Sequence, residues 1–430
     1  MEKFFKLSEH NTTARKEIVA GITTFLTMAY IIFLNPTILA DAGMDKGALI
    51  TVTALAAFFG TMLIGLWANV PLAMAPGMGL NAFFAYSLVL GNKITWETAL
   101  GVVFISGVLF FVLTILGVRE KIVNAIPLSI RIAIPAGIGL FITLIGLKNL
   151  EIIVSNKHTL VTLGSLTPTV LLGLAGILII GILEVKKIKG SILTGIIVTT
   201  VLGVIFGEVT MPESLISMPH SIMPIAFKLD IMGALKFGLI GAIFSFMFVD
   251  LFDSIGTMVA CSYEGGFVEE DGKIKNIDKM LEADAVATVF GSVMGTSTTT
   301  TYIESASGIA DGGRTGLTSV VTALLFLAAL VFTPIIGIVP KFATAPALVI
   351  VGVFMFKNIK MIDFGDFSEG IPAFLIIIMM PLTFSISNGL SFGFISYVGI
   401  NALSGNHKKV SPVMWAIAIL AVVNLVVVNL

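Results

Sequence analysis

The chain has 430 residues, of which 57% are apolar and only 12% charged, and its mean hydropathy is +1.04. A soluble domain carries about 25% charged residues, so the composition reads as a polytopic membrane protein. A net charge of −1 offers no basic footprint to a nucleic acid, and the single cysteine, Cys261, closes no intrachain disulfide.

Residues 1–17 are polar and mixed in charge, with Lys3, Lys6, Arg15 and Lys16, and lead straight into a full-length apolar run. That reads as a cytoplasmic tail before a first span, not a cleaved signal peptide. A spanning helix needs about 20 apolar residues. Candidate spans lie at 18–39, 48–68, 78–90, 98–117, 130–147, 168–184, 190–207, 236–260, 280–295, 302–310, 316–338, 344–356, 370–386 and 389–404. A further apolar stretch, 412–429, fits either a span or a segment lying along the membrane. The runs 78–90, 302–310 and 344–356 are short. The first two follow extended-looking stretches, PLAMAPGMG at 71–79 and GTSTTTT at 295–301. Non-helical backbone at membrane depth is tolerated only where protein buries it or it lines a cavity. A pair of interrupted short spans in matching halves is a sequence pointer to a transporter's binding site.

The halves match weakly. Pro127–Glu151 and Pro340–Lys360 each carry two prolines, a Gly-containing apolar run and a Lys-Asn pair (Lys148, Asn149; Lys357, Asn358). The stretch 188–203 likewise resembles 386–405. Seven spans precede residue 234, and an odd number inverts the second copy relative to the first. With the N-terminus inside, basic residues gather in the tail and in alternate connections: Arg119, Lys121 and Arg131; Lys186, Lys187 and Lys189; Lys273, Lys275 and Lys279; Arg314; Lys357 and Lys360; Lys408 and Lys409. That excess follows the positive-inside rule.

Two carboxylate-bearing stretches sit within apolar spans. In FVDLFDSIGT (248–257), Asp250 and Asp253 are three apart and share a helix face, which Thr257 continues. An acid at membrane depth costs roughly 2.5–3.5 kcal/mol and is rarely kept without a task. No Lys or Arg lies in the apolar part of this span. The acids are suited to a ligand or a proton, or to bonding the hydroxyls of a neighbouring helix. In GTSTTTTYIESASG (295–308), six hydroxyl residues, Thr296 to Thr301, favour extended backbone. Tyr302-Ile303-Glu304 then opens a short helix, whose first N–H groups are unsatisfied. Glu304 there either accepts two N–H donors from a planar heterocycle or caps the helix. In PLAMAPGMGLNAFFAY (71–86), Pro76 and Gly77 break the chain and Asn81 falls in the first turn of a short helix, with Phe83 beyond. Asn81 offers donor and acceptor together, and an aromatic ring stacks on a flat ligand; a cap and a core position are the bland alternatives. Thr23, Thr24 and Thr27 lie on the first span, where hydroxyls more often bond the preceding turn. His10, His158, His220 and His407 sit in tails or loops, so no metal cluster is expected, and no phosphate-binding loop is present. The stretch 263–285 reads as a solvated loop and the entry of an amphipathic helix, with no chemistry of its own.

At these motifs the sequence resembles the AzgA-like purine permease branch of the nucleobase:cation symporters, within the xanthine/uracil permease superfamily. The matching segments are TTFLTMAYIIFLNP (23–36), APGMGLNAFF (75–84), FVDLFDSIGT (248–257) and GTSTTTTYIESASGIADGGRTGLT (295–318). The resemblance implies an all-α polytopic membrane protein of 14 transmembrane segments in two inverted sets of seven, with spans 3 and 10 half-extended and half-helical. It implies a core domain (18–117 and 234–338) moving against a gate domain (118–233 and 339–404), flanked by the tail 1–17 and the apolar segment 405–430. Acidic site residues on spans 8 and 10 carry over to Asp253 and Glu304, with Asp250 a neighbour specific to this branch. The expected substrate-binding set is Glu304, Asp253, Asn81, Thr300, Thr301 and Tyr302. Asp253, Asp250 and Glu304 are the proton-coupling candidates, and Thr27, Phe83 and Thr257 are secondary ones. Uracil-transporting relatives carry Glu at the position of Asp253 and His at that of Thr257, so details of coupling differ here. The implied activity is proton-coupled uptake of hypoxanthine, guanine or adenine across the plasma membrane, with no cofactor, no metal and a homodimeric assembly. The alternatives are a sulfate-type anion transporter or an uncoupled facilitator of the same fold; a membrane enzyme would need a nucleophile–base pair that is missing.

Overall fold

The structure is a computed structural model and describes residues 2–117, 125–212, 214–236, 239–268 and 274–429. Arg119, Lys121 and Lys273, counted above among the cytoplasmic basic residues, lie outside the described residues.

The first span is two helices, α1 (Ala14–Met28) and α2 (Ile31–Ala40), joined at Ala29-Tyr30. The Thr13 side chain caps α1 by accepting from the Lys16 N–H. Helix α3 (Lys46–Trp67) starts on the Asp45 carboxylate, which accepts from the Ala48 N–H at 2.7 Å. Strand β1 (Met74–Pro76) leads through Gly77 into α4 (Met78–Ala82), which widens into a π-helical stretch over Phe83–Gly91. Helices α5 (Trp96–Ile115) and α6 (Leu128–Asn149) follow. A hairpin comes next, β2 (Ile153–Asn156) against β3 (Leu160–Leu163), then α7 (Pro168–Val185) and α8 (Ser191–Ile205).

The second half begins with α9 (Ile240–Gly265), stopped by Gly266 at φ 70°, and α10 (Ile277–Met294), stopped by Gly295 at φ 98°. Strand β4 (Thr299–Thr301) and α11 (Ser305–Ala310) precede α12 (Gly316–Ala329), which runs on in short turns to Gly337. Helices α13 (Lys341–Phe356), α14 (Phe367–Leu382), α15 (Ile386–Leu403) and α16 (Pro412–Asn429) complete the chain.

The fold is mostly helical and multi-pass. Among the described residues eight helices are long and apolar enough to cross a membrane, and four apolar helices are shorter. Large apolar side chains stay exposed on outward faces, for example Leu171, Leu178 and Ile182 on α7 and Val201 and Ile205 on α8, as lipid-facing helices require.

Several expectations need correction. The chain is not purely helical: β1 pairs with β4, and β2 with β3. The helix expected from Tyr302 starts at Ser305, because Tyr302 is still held by its N–H to the carbonyl of Ala73, beside β1. The run 344–356 is not short. Pro340 immediately precedes the helix, which starts at Lys341 and passes into a 3₁₀ turn ending at Met361; Lys341, Thr344 and Pro346 had hidden its first turn from a hydropathy reading.

Helices α1, α3, α5, α9, α10 and α12 are linked by packing: α3 on α12, α5 on α10 and α9, α1 on α12 and α3 on α10. Helix α6 packs on α13 and α14, α7 on α8 and α13, and α14 on α15. The crossing of β1 and β4 lies in the first set, and α4 reaches from it to touch α6.

Candidate functional site

Strands β1 and β4 form a two-stranded antiparallel ribbon of three residue pairs, with Met74 opposite Thr301, Ala75 opposite Thr300 and Pro76 opposite Thr299. Protein groups bond much of its backbone, as non-helical chain at membrane depth requires. The Gly77 N–H donates to the Thr298 carbonyl at 2.8 Å and the Tyr302 N–H to the Ala73 carbonyl at 2.9 Å. Side chains take the edges. The Thr61 hydroxyl accepts from the Met74 N–H and donates to the Met74 carbonyl, both at 2.9 Å. The Thr288 hydroxyl donates to the Thr299 carbonyl at 3.1 Å. The Ser305 hydroxyl accepts from the Ala73 N–H at 3.0 Å, and the Tyr302 hydroxyl donates to the Pro76 carbonyl at 2.6 Å. Glycines let the ribbon seat: a Cβ on Gly291 would stand 2.7 Å from the Thr299 hydroxyl, and one on Gly77 3.1 Å from that of Thr300.

Because the strands are antiparallel, α4 leaves the ribbon at one end and α11 at the other. Each short helix therefore starts at the crossing and points away from it. Glu304 occupies the N-cap position of α11, where helix N–H groups favour negative charge. It is partly exposed. The fully buried Tyr30, between α1 and α2, donates its hydroxyl to Glu304 Oε1 at 2.5 Å. Asp253 of α9 is also partly exposed, and α9 packs on both α11 and β4. Among the described residues neither Asp253 nor Glu304 is ion-paired. The two acids thus lie on elements that pack together beside the ribbon, α9 and α11, and among the described residues neither is bonded to a lysine or arginine.

The other expected residues divide. Asn81 is completely buried one turn into α4, and both its amide oxygen and nitrogen are without a hydrogen-bond partner among the described residues. Such groups are rare in folded proteins. Thr300 and Thr301 are buried in β4, and the Thr301 hydroxyl has no hydrogen-bond partner among the described residues. The Tyr302 hydroxyl is committed to the ribbon. Asp250 is turned toward α10, where the Thr288 hydroxyl donates to it at 3.3 Å. Asp250 and Asp253 share a flank of α9 yet meet different neighbours. Phe83 is buried against Phe246 of α9, with ring centroids 4.8 Å apart. Thr27 bonds the carbonyls of Thr23 and Thr24, the preceding turn, and reaches the Glu304 carbonyl at 3.5 Å. Thr257 is partly buried one turn beyond Asp253. Among the described residues no group of three or more His, Cys, Asp and Glu side chains is placed to hold a metal ion.

Two polar residues escaped the sequence reading. Tyr30 is a lone tyrosine in an apolar span, and that isolation was the available signal. Glu17 is fully buried and accepts from the N–H groups of Arg314, Thr315 and Thr318, tying α1 to the start of α12. In sequence it looks like one more charge in a polar tail.

A family model of xanthine/uracil permeases, described as a permease family, matches residues 15–392. The chain belongs to this family. The permease is 45% identical to the Escherichia coli adenine permease AdeP over 430 residues, covering 100% of this chain and 96% of that one. It is 42% identical to the Bacillus subtilis guanine/hypoxanthine permease PbuG, covering 97% of each. Among solved structures it is similar to the transmembrane domain of the cyanobacterial bicarbonate transporter BicA, with a TM-score of 0.65 at 16% identity over 88% of this chain and 96% of that one. That likeness establishes the fold alone. The permease is a transporter of the membrane, not an enzyme.

Proposed function

We propose that the permease takes up a purine base, adenine or an oxopurine, together with a proton. Support comes from the sequence relatives, whose names specify adenine or guanine/hypoxanthine, and from the site. The observation that carries the reading is that α9 and α11, which bear Asp253 and Glu304, pack together beside the ribbon, with neither acid paired to a cation among the described residues. Every purine base presents N–H donors in its ring plane, guanine two of them side by side, and a carboxylate accepts one or two in that plane. A carboxylate at membrane depth also carries a proton at less cost than a charge. An anion would meet two like charges, so the fold shared with a bicarbonate transporter does not extend to its cargo.

From the ribbon's own packing set, α4 reaches out to touch α6 of the other set, which supports an elevator motion with the site near that boundary. The set containing the ribbon acts as core (18–117 and 234–338), and α6–α8 with α13–α15 as gate (118–233 and 339–404). In this reading the chain makes 14 membrane segments in two inverted sets of seven, has its N-terminus in the cytoplasm and works in the plasma membrane as a homodimer. Glu304 and Asp253 hold the base, Asp253 or Glu304 carries the proton, and Asn81 contacts the cargo from the opposite half-helix. Asp250 steadies α9 against α10.

Uptake of radiolabelled adenine and hypoxanthine by cells stripped of their own purine permeases tests this. Saturable accumulation, competed by unlabelled purines but not by sulfate, bicarbonate or uracil, and lost when the proton gradient is collapsed, is the expected result. Competition by the anions would defeat the purine assignment. Accumulation that survives collapse of the gradient would remove the proton.

A further inference from the structure

The first span changes pitch at Ala29-Tyr30. The Ile32 N–H donates to the Ala29 carbonyl and the Phe33 N–H to the Tyr30 carbonyl, both at 3.1 Å. These are bonds of three-residue reach, tighter than an α-helix, and mid-helix tightening of this kind is common at functional positions. The tightened turn places the Tyr30 ring against the start of α11, where its hydroxyl lies 2.5 Å from Glu304 Oε1. Tyr30 is 1% exposed. A phenol buried to that degree needs a partner, yet a backbone carbonyl would serve, as one does for the Tyr302 hydroxyl. Tyr30 instead gives its single donor to the carboxylate that faces the cargo.

That choice has a consequence. The last torsion of a glutamate side chain is broad and roughly two-fold, so a free carboxylate has no preferred plane. Fixing one oxygen removes that freedom. A flat heterocycle presenting two donors is recognised only when the carboxylate lies in the plane of the ring.

We propose that Tyr30 is a positioning residue that sets the plane of the Glu304 carboxyl group for a flat cargo, leaving the second oxygen directed at the site. The inference rests on the purine reading above. Tyr30 does not touch the base; it acts through Glu304.

Tyr30→Phe keeps the ring and removes the hydroxyl. Purine affinity of the purified protein is expected to fall roughly 10-fold, the scale of a lost hydrogen bond to a charged group. In cells KM rises by about the same factor while maximal uptake stays within roughly twofold. Thermal unfolding without ligand supplies a second readout. Tyr30→Phe shifts the melting temperature of the wild-type protein but not of Glu304→Ala, since residues in one hydrogen bond are non-additive. Equal purine affinity in wild type and Tyr30→Phe would overturn this inference alone. So would equal melting shifts in the two backgrounds, or a lower maximal rate at unchanged KM. Failure of the wild-type protein to bind any purine would overturn the functional reading and this inference with it.

Discussion

The two halves of the crossing are built alike and filled differently. Each is a three-residue strand, a short connection and a short helix that starts at the ribbon and points away. The first half is apolar and glycine-broken, Met74 to Ala82, and its one polar side chain is Asn81. The second half is a run of hydroxyls ending in Glu304, whose carboxylate is held by Tyr30. Their supports also differ. A Cβ on Gly79 of α4 would stand 2.4 Å from Ile138 Cγ2 on α6, in the other packing set. A Cβ on Gly308 of α11 would stand 2.1 Å from the Thr24 hydroxyl and 2.6 Å from the Ala20 carbonyl on α1, in its own set. One half-helix therefore rests on a surface that the proposed motion slides past, and the other on a surface that travels with it.

The sharpest break between the halves is chemical. Glu304→Gln keeps the size and one acceptor but removes the charge and the exchangeable proton. Uptake should fall to background with normal membrane expression, measured as radiolabelled purine accumulation against protein detected in the membrane fraction. Near-normal uptake would take Glu304 out of the site. Asn81 should behave otherwise. Two buried amide atoms without partners cost stability, and an apolar residue of similar volume relieves that cost. Asn81→Leu should raise the melting temperature of the ligand-free protein while raising KM roughly 10-fold. A lower melting temperature would make Asn81 a structural residue with partners of its own.

The glycine contacts separate next. Overpacking costs about 1–3 kcal/mol, but where it acts depends on the neighbour. At Gly308 a new Cβ meets a backbone carbonyl that does not yield, so Gly308→Ala should lower the melting temperature by several degrees. At Gly79 it meets the γ-methyl branch of Ile138 at 2.4 Å, a β-branched side chain held in one rotamer on a helix, so α4 and α6 must part. Gly79→Ala should also lower the melting temperature and, beyond that, slow uptake severalfold, because the strain falls between the two packing sets. Unchanged uptake per folded molecule would mean that α4 does not slide past α6.

Much of this was legible in the sequence. The two breaks could be read because Pro76 and Gly77 interrupt a helix and the six hydroxyls from Thr296 to Thr301 favour extended backbone; that the two spans cross came only with the family resemblance. The acids stood out because Asp253 and Glu304 interrupt apolar spans. What was hidden depended on tertiary direction. Asp250 and Asp253 share a helix flank by spacing, yet a 60° difference in azimuth, roughly what three residues leave, turns one toward Thr288 and the other toward Glu304. Tyr30 carried no local signal beyond its isolation, since the partner that gives it a role, Glu304, lies 274 positions away in the chain. The hairpin Ile153–Asn156 with Leu160–Leu163 was missed because it is short and lies within a polar connection.

The smallest expected effects lie at the far ends of the two half-helices, and they test whether the halves work in opposition. Beyond α4, Tyr86 donates to Asp41 at 2.8 Å, and Asp41 pairs with Lys341 of α13 at 2.6 Å. Beyond α11, Asp311 accepts from Thr23 at 2.6 Å and pairs with Lys189, just before α8. Each half thus ends on an ion pair that crosses from one packing set to the other. The lysines are 56% and 52% exposed, so each pair is worth at most about 1 kcal/mol. Loss of one shifts a two-state equilibrium up to about fivefold. Because α4 and α11 point to opposite ends, Lys341→Gln and Lys189→Gln should bias access toward opposite sides. A cysteine at Thr257 in a Cys261→Ala background, labelled with an impermeant thiol reagent from either face of oriented vesicles, reads the bias. Two shifts of opposite sign, cancelling in the double variant, fit a core that moves as one body between closed rims. Shifts of the same sign would mean that the two halves do not travel together, and the likeness between them would then stop at their shape.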